Sequence, residues 1–172
     1  MDFKTFLNHI LTDTKVKLTE AFDRNFERKG FFGNGWPETK IPNRRGSLMM
    51  RTGTLRRSIR STVEGSSVRW TSSVPYADLQ NNGGELVITE KMKHYFWAMY
   101  YRVSGAAKGH KGSAQKAFSV EAEQWKALAL KKVGDKLKIP KRQFIGDHPE
   151  VKRMVDDIVN FNMKELLNSM HQ

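Results

Sequence analysis

The 172-residue chain contains no cysteine. Disulfide bridges, thiolate zinc sites and cysteine nucleophiles are therefore excluded, because each of them needs a cysteine sulfur. Nothing in the composition requires an oxidising compartment, so a reducing cytosol is the simpler environment. The chain also lacks any run of about 18 apolar residues, and its first segment has neither a basic lead nor an uninterrupted apolar core. We expect no membrane span and no signal peptide.

Acidic residues are scarce relative to basic ones. Thirty Lys and Arg against 18 Asp and Glu give a formal net charge of +12. Two segments hold most of the excess: residues 28–60 contain nine basic residues and one acid, and residues 91–116 contain six basic residues and no acid. Such an excess raises the local concentration of polyanions, so it indicates a class of partner but no mechanism.

Length and composition fit a single globular domain over residues 1–172. Apolar residues at helical spacing predict one amphipathic helix over residues 2–28. Glycine, proline and asparagine then interrupt the pattern, which predicts a long basic loop at about residues 29–50. In RTGTLRRSI, Thr52 is a candidate N-cap of a short helix that directs Leu55 and Ile59 to the core.

The middle of the chain predicts strands and turns. STVE and VRWTSS around a Gly-Ser corner are typical of a β-hairpin, VPYADLQNNGG of a helical turn, and ELVIT of a further strand. Residues 91–116 form a variable basic segment, for which we expect a helix followed by a flexible loop over about 104–116. A helix from Phe118, a strand after Pro140 and a last helix from Val151 complete the chain.

No pattern of catalytic residues is present. The five histidines are scattered, the adjacent acids Asp156 and Asp157 diverge on a helix, and the glycine-rich run after Gly105 lacks the Gly-Lys-Ser/Thr of a phosphate-binding loop. We therefore predict no catalytic residue, no metal site and no cofactor, and expect that the protein is not an enzyme. A nuclease with an unfamiliar set of acids is the least favoured interpretation.

Aromatic residues are interleaved with the basic segments, as in proteins that hold phosphates and stack bases. An aromatic core beneath a charged surface explains the same pattern at least as well. Because no zinc-finger, RNA-recognition or helix-turn-helix signature is present, any DNA contact is expected to use the backbone without sequence preference. The aromatic residues concerned are Phe31, Phe32, Trp36, Tyr95, Phe96 and Trp97.

Four segments in order resemble successive signatures of the phage virion-morphogenesis family, which comprises the tail-completion or head-tail joining proteins of long-tailed bacteriophages. The segments are GNGWPETK, LMMRTGTLRRSI, VPYADLQNNGG and IPKRQFIGD. Each is weak alone, whereas their order and spacing make the resemblance more specific. It extends from about residue 33 to residue 147 and so covers most of the chain.

The resemblance implies an α+β fold: a small antiparallel β-sheet packed against a long N-terminal helix, with additional helices including a C-terminal one. It also implies a structural, non-enzymatic protein that assembles as a ring, commonly a hexamer, at the neck between portal vertex and tail. The fold and assembly residues that it implies are Trp36, Thr52, Gly53, Leu55, Ser58, Ile59, Tyr76, Ala77, Gly83, Pro140, Arg142, Phe144 and Gly146.

The partners implied are further copies of the chain, the connector or neck and tail proteins, and double-stranded DNA contacted without sequence preference, with no membrane. The implied location is the virion neck or tail, and the bacterial host cytoplasm during assembly, for an active phage or a prophage. Candidate contacts with DNA or partner proteins are Arg44, Arg45, Arg56, Arg57, Lys108 and Lys111.

The chain departs from the family pattern in three places. The corner occupied by Leu79, Gln80, Asn81 and Asn82 often holds a His and an aromatic residue, and Gln143 stands where a Pro is common. Residues 91–132 also form a longer segment than expected. The alternative function is a non-specific nucleic-acid-binding protein of a mobile element, which explains the charge but not the ordered signatures.

Overall fold

The structure is a computed structural model in which residues 2–39 and 47–170 are described. The described chain forms two compact units: the first contains residues up to 37, 47–82 and 141–170, and the second is built on residues 83–140. In chain order the elements are α1 (Phe3–Arg28), β1 (Gly30–Phe31), β2 (Asn34–Gly35), α2 (Thr54–Ser58), β3 (Ile59–Glu64), β4 (Ser67–Ser72), α3 (Ala77–Asn82), β5 (Gly84–Val87), α4 (Glu90–Lys108), α5 (Gly112–Ala129), β6 (Lys136–Ile139) and α6 (Pro149–Met170).

The long helix α1 confirms the helix predicted for residues 2–28. Asp2 caps its start by accepting a hydrogen bond from the Thr5 amide at 2.7 Å, which satisfies one of the free N–H groups of the first turn. Lys29 ends the helix in the left-handed region, at a φ of 54°. The buried apolar residues of α1 are Phe6, Leu11, Leu18, Phe22 and Phe26.

The β3–β4 hairpin confirms the strands predicted on either side of the Gly-Ser corner. Its six pairs run from Ile59 opposite Ser72 to Glu64 opposite Ser67. Trp70 packs its ring edge-on against Phe22 at 5.3 Å and donates from Nε1 to Thr19 Oγ1 at 3.0 Å. The hairpin therefore lies on α1, and the fold is α+β as expected, with a small antiparallel sheet against the N-terminal helix.

The C-terminal helix α6 runs antiparallel to α1 in the same unit. Its first turns contribute Val151, Met154 and Val155 to the cluster around Phe22, while Asn162 Nδ2 reaches Asp13 Oδ2 at 2.9 Å nearer the start of α1. This pairing confirms the predicted last helix and covers the apolar stripe of α1 that a helix alone would leave in water.

The second unit consists of a helical hairpin and a two-stranded ladder. β5 pairs with β6 from Gly84 opposite Ile139 to Val87 opposite Lys136, and the fully buried Ile88 exchanges backbone hydrogen bonds with Gly134 and Asp135. Along the chain, α4 and α5 lie between these two strands, and the two helices pack against each other in antiparallel orientation. Their shared core contains Phe96, Val103, Ala122, Trp125 and Ala129.

Three local predictions are wrong. The flexible loop expected over 104–116 is helical except at residues 109–111, because α4 continues to Lys108 and α5 begins at Gly112. The last strand lies before Pro140, not after it: the proline, which has no amide hydrogen to donate, follows β6 directly. Thr52 is not the N-cap of α2, since Gly53 takes that position in the left-handed region at a φ of 69°.

The long loop predicted at about 29–50 contains the short β1–β2 pair, in which Gly30 faces Gly35, and a bridge between Ser47 and Met50. Residues 40–46 of that loop lie outside the described residues. The expectation that residues 1–172 form a single domain stays a prediction.

Replacing Phe26 by Ala is expected to lower the free energy of unfolding of the first unit by about 3 to 5 kcal/mol, because it removes a fully buried ring and leaves a cavity. Urea unfolding followed by circular dichroism measures this. Phe3→Ala on the same helix is the matched control, since Phe3 is 77% exposed and its loss should change stability by about 0.5 kcal/mol or less. Equal losses for the two variants would contradict this account of the core.

Candidate functional site

Residues from the four signature segments meet in one apolar cluster of the first unit. Trp36, Leu55, Ala77 and Phe144, one from each segment, surround Phe26 of α1. The Phe26 ring lies 5.6 Å from the Trp36 ring, edge-on, and 5.1 Å from the Phe144 ring. We call these five residues the signature cluster. Its members span more than a hundred residues of sequence, so the motif spacing reflects packing around α1.

The segment over residues 141–147 has no helix or strand, yet its backbone is bonded to three other parts of the first unit. Trp36 Nε1 donates to the Gln143 carbonyl at 2.6 Å, and Asn25 Nδ2 donates to the Phe144 carbonyl at 3.2 Å. Asn81 Oδ1 accepts from the Phe144 and Ile145 amides at 2.9 and 3.2 Å. Side chains thus replace a strand neighbour in satisfying this backbone.

Arg142 belongs to the same segment and is 7% exposed. Its amide donates to the Gln80 carbonyl at 2.8 Å, and its Nε donates to the Pro37 carbonyl at 3.0 Å. Burial lowers the pKa of the Arg142 guanidinium, which nevertheless stays charged at neutral pH because the ordinary value is so high. Arg142 thus bonds the segment to Pro37, and its burial makes it inaccessible to a phosphate group.

The remaining signature residues have separate local roles. Gly53 approaches Arg57 so closely that a Cβ would lie 2.6 Å from its Nη1, and Ser58 Oγ bonds the Leu55 carbonyl and Ser72 Oγ, each at 2.7 Å. Ile59 packs against the signature cluster.

The other signature residues lie outside this packing. Gly83 and Gly146 have φ values of 72° and 125°, and Tyr76 and Thr52 are exposed. Gly83 and Pro140 belong to the second unit.

Sequence reasoning missed three residues of this site. The signature cluster and the 141–147 segment are held together by Phe26, Asn25 and Asn81. The prediction placed Phe26 only in the apolar stripe of α1, and it noted Asn81 only as a departure from the family pattern. Asn25, 1% exposed, gave a signal: it is a polar residue beside the apolar stripe of α1. Nothing in the local sequence indicates that Asn81 reaches Phe144.

The basic residues predicted to contact DNA or partner proteins differ in whether their charged groups are already bound within the protein. Arg56 donates from Nε to Asp23 Oδ1 at 2.5 Å, from Nη2 to Asp23 Oδ2, and from Nη2 to Glu27 Oε1 at 2.7 Å. These carboxylates raise the pKa of Arg56 and occupy its guanidinium, so Arg56 joins α2 to α1 instead of facing a partner. Arg57 is exposed and donates to the Thr52 carbonyl at 2.8 Å.

Lys108 and Lys111, the other candidates, are exposed in the second unit, at the connection between α4 and α5. Arg44 and Arg45 lie outside the described residues. Of the candidates within the described residues, Arg56 and Arg57 belong to the first unit, and Lys108 and Lys111 belong to the second.

No group of three or more His, Cys, Asp or Glu within residues 2–39 and 47–170 is arranged to hold a metal ion. Over the same described ranges, no helix has the length and apolar character needed to cross a membrane.

Comparison with known proteins gives no relative. No protein-family model, no curated protein and no solved structure matches the chain.

Replacing Asn81 by Ala should lower the free energy of unfolding by about 2 to 3 kcal/mol, because two part-buried amides of the 141–147 segment lose their acceptor. Denaturant unfolding gives the loss, and amide exchange at residues 144 and 145 locates it. Asn160→Ala is the control, since Asn160 is an exposed asparagine on α6 of the same unit. Unchanged exchange at those two amides in Asn81→Ala would refute the assignment.

Proposed function

We propose that this protein is a structural virion protein of a tailed bacteriophage or prophage. It completes the tail and joins head to tail at the neck by assembling as a ring. The observation that carries the proposal is the signature cluster. Four segments that resemble the family signatures, in the family order, contribute one core residue each to the same site. Segments that define a common fold are expected to meet in its core, and these four do.

The role is structural and not catalytic. The signature residues are engaged in packing and backbone bonding: Trp36 and Arg142 bond neighbouring carbonyls, and Phe144 is 1% exposed. Such residues define a rigid body, and a ring subunit must present the same rigid surface to each neighbour for the ring to close.

A ring also requires a surface through which copies meet. Helix α6 exposes apolar side chains on the side that does not face α1: Met163, Leu167 and Met170 are 42%, 49% and 69% exposed and recur every three or four residues. We call these three residues the α6 stripe. It is the surface of the first unit that we assign to subunit contact, because exposed apolar stripes on a charged protein mark interaction sites.

The ring proposal is tested by the mass of the purified protein in solution, measured by light scattering over a range of concentrations and followed by imaging. Closed rings are expected, with a mass of about 119 kDa for six copies of the 19.8 kDa chain. A monomer at every concentration that also binds DNA with a steep salt dependence would contradict the proposal and favour the alternative.

That alternative is a non-specific nucleic-acid-binding protein of a mobile element. The observation that favours it is the acid-free segment over residues 91–116, whose lysines at 108, 111 and 116 are exposed. It leaves the signature cluster without an explanation, so it stands second.

The double variant Met163→Gln and Leu167→Gln should shift the ring to smaller species at equal concentration, because it replaces exposed apolar contacts with polar groups that must be desolvated. Light scattering measures the shift. The control carries Asp157→Asn and Lys164→Gln, two exposed positions about 100° around the same helix from the α6 stripe, and it leaves the net charge unchanged. If the apolar variant assembles like the control, the α6 stripe is not the subunit contact.

A further inference from the structure

The second unit carries half of the net positive charge. Residues 83–140 contain 11 Lys and Arg and five Asp and Glu, so this third of the chain carries +6 of the net +12. Its ion pairs in the described structure lie towards the strands: Lys126 with Glu123 and Lys136 with Glu85. Exposed lysines near the strands, among them Lys131, Lys132 and Lys138, also form no ion pair in the described structure, so what distinguishes the connection of the helices is the absence of acids between Glu90 and Glu121.

Four basic residues surround the end of the α4–α5 hairpin, and we call them the hairpin tip: Arg102, Lys108, Lys111 and Lys116. All four are exposed, and in the described structure none of them forms an ion pair. The acid nearest to the tip along α5 is Glu121, and along α4 it is Glu90. The remaining residues from 104 to 117 are Gly, Ala or Ser apart from His110 and Gln115, so lysine side chains are the groups that project furthest.

The hairpin tip is an ordered structure. Only residues 109–111 connect the helices, and His110 packs its ring 4.6 Å from Phe118 while its Nδ1 bonds the Ala106 carbonyl at 2.8 Å. Each helix is about 27 Å long at 1.5 Å per residue, so the tip stands far from the β5–β6 ladder. Cations grouped at the end of a helical hairpin form a concentrated positive field.

The shape and charge fit the backbone of double-stranded DNA. Duplex DNA carries one negative charge for about every 1.7 Å of axis, so a tip of two packed helices faces several phosphates at once. Two helices side by side are about 20 Å wide, which exceeds the roughly 12 Å width of the major groove. The hairpin tip is therefore excluded from reading base edges with both helices and meets phosphates instead.

We infer that the hairpin tip is a binding site for the phosphate backbone of double-stranded DNA, without sequence preference. The inference deepens the proposed function, on which it rests for the choice of duplex DNA, the polymer that passes through a neck. It also assigns the contact to the second unit in place of Arg56, whose guanidinium is held by Asp23 and Glu27.

The test compares the full-length protein with two variants of equal charge. The tip variant carries Lys108→Gln, Lys111→Gln and Lys116→Gln. The control carries Lys131→Gln, Lys132→Gln and Lys138→Gln, three exposed lysines of the same unit at the end of the hairpin near the strands. Both lose three positive charges, so a difference between them reports position and not net charge.

Binding to a labelled random-sequence duplex is measured by fluorescence anisotropy over a series of salt concentrations. The tip variant should bind at least about tenfold more weakly at low salt, and its slope of log K against log salt should be shallower by about 2.7, or 0.9 for each lost phosphate contact. The control should keep most of the slope. Equal losses in the two variants, or no loss in the tip variant, overturn the inference.

Two further ligands separate the sources of negative charge. A single strand of the same length should bind more weakly than the duplex. The Tyr101 ring, which is 65% exposed and stacked on Trp97, offers a platform for unpaired bases. If the single strand binds more tightly than the duplex and Tyr101→Ala weakens that binding, the duplex assignment is overturned. Polyglutamate bound as tightly as the duplex, and lost in the tip variant, would assign the surface to an acidic protein instead.

Masses measured on the same preparations keep this inference distinct from the ring. Rings that bind no duplex at low salt overturn the tip inference and leave the neck proposal standing. Monomers that bind duplex through the tip support the inference and count against the ring.

Discussion

The bonding of the 141–147 segment to Asn25, Trp36 and Asn81 is the constraint on which the first unit depends. The segment brings Phe144 into contact with Phe26, but it has no strand partner to satisfy its own amides and carbonyls. A buried backbone group without a partner costs about 1 to 3 kcal/mol, so the segment could not be buried unless those side chains were present. The apolar cluster and the polar bonds around it are therefore one unit of structure.

Hydrogen bonds and ion pairs within the first unit also distinguish the basic residues that stabilise the fold from those that are available to a partner. Arg56 and Arg142 are bound to carboxylates and to carbonyls inside the first unit, and their donors are engaged there. The α4–α5 hairpin carries the exposed residues Lys108, Lys111 and Lys116, whereas its core contains Phe96 and Trp125. A net charge of +12 does not distinguish these two groups, because net charge contains no information on pairing.

Most of the helices could be predicted because their evidence is local. The stripe from Phe6 to Phe26 repeats with the helical period, and the hairpin from Ile59 to Ser72 has a turn residue between two strand-like runs. The flexible loop at 104–116 was mispredicted because glycine and lysine indicate mobility only where no partner is present. Here α4 and α5 continue through those residues by packing on each other, and tertiary packing outweighs the low helix propensity of glycine.

The amino-acid sequence alone determined the α+β character, the length of α1, the strands of the β3–β4 hairpin and the two basic segments, since periodicity, turn residues and charge are all read over neighbouring positions. Only the tertiary structure decided that Asn81 accepts from Phe144, that Arg56 is neutralised by Asp23 and Glu27, and that β6 ends before Pro140. Each of these depends on the partner that a residue finds across tens of positions of chain, and hydrogen bonds and ion pairs extend only about 3 Å in space whatever the separation in sequence.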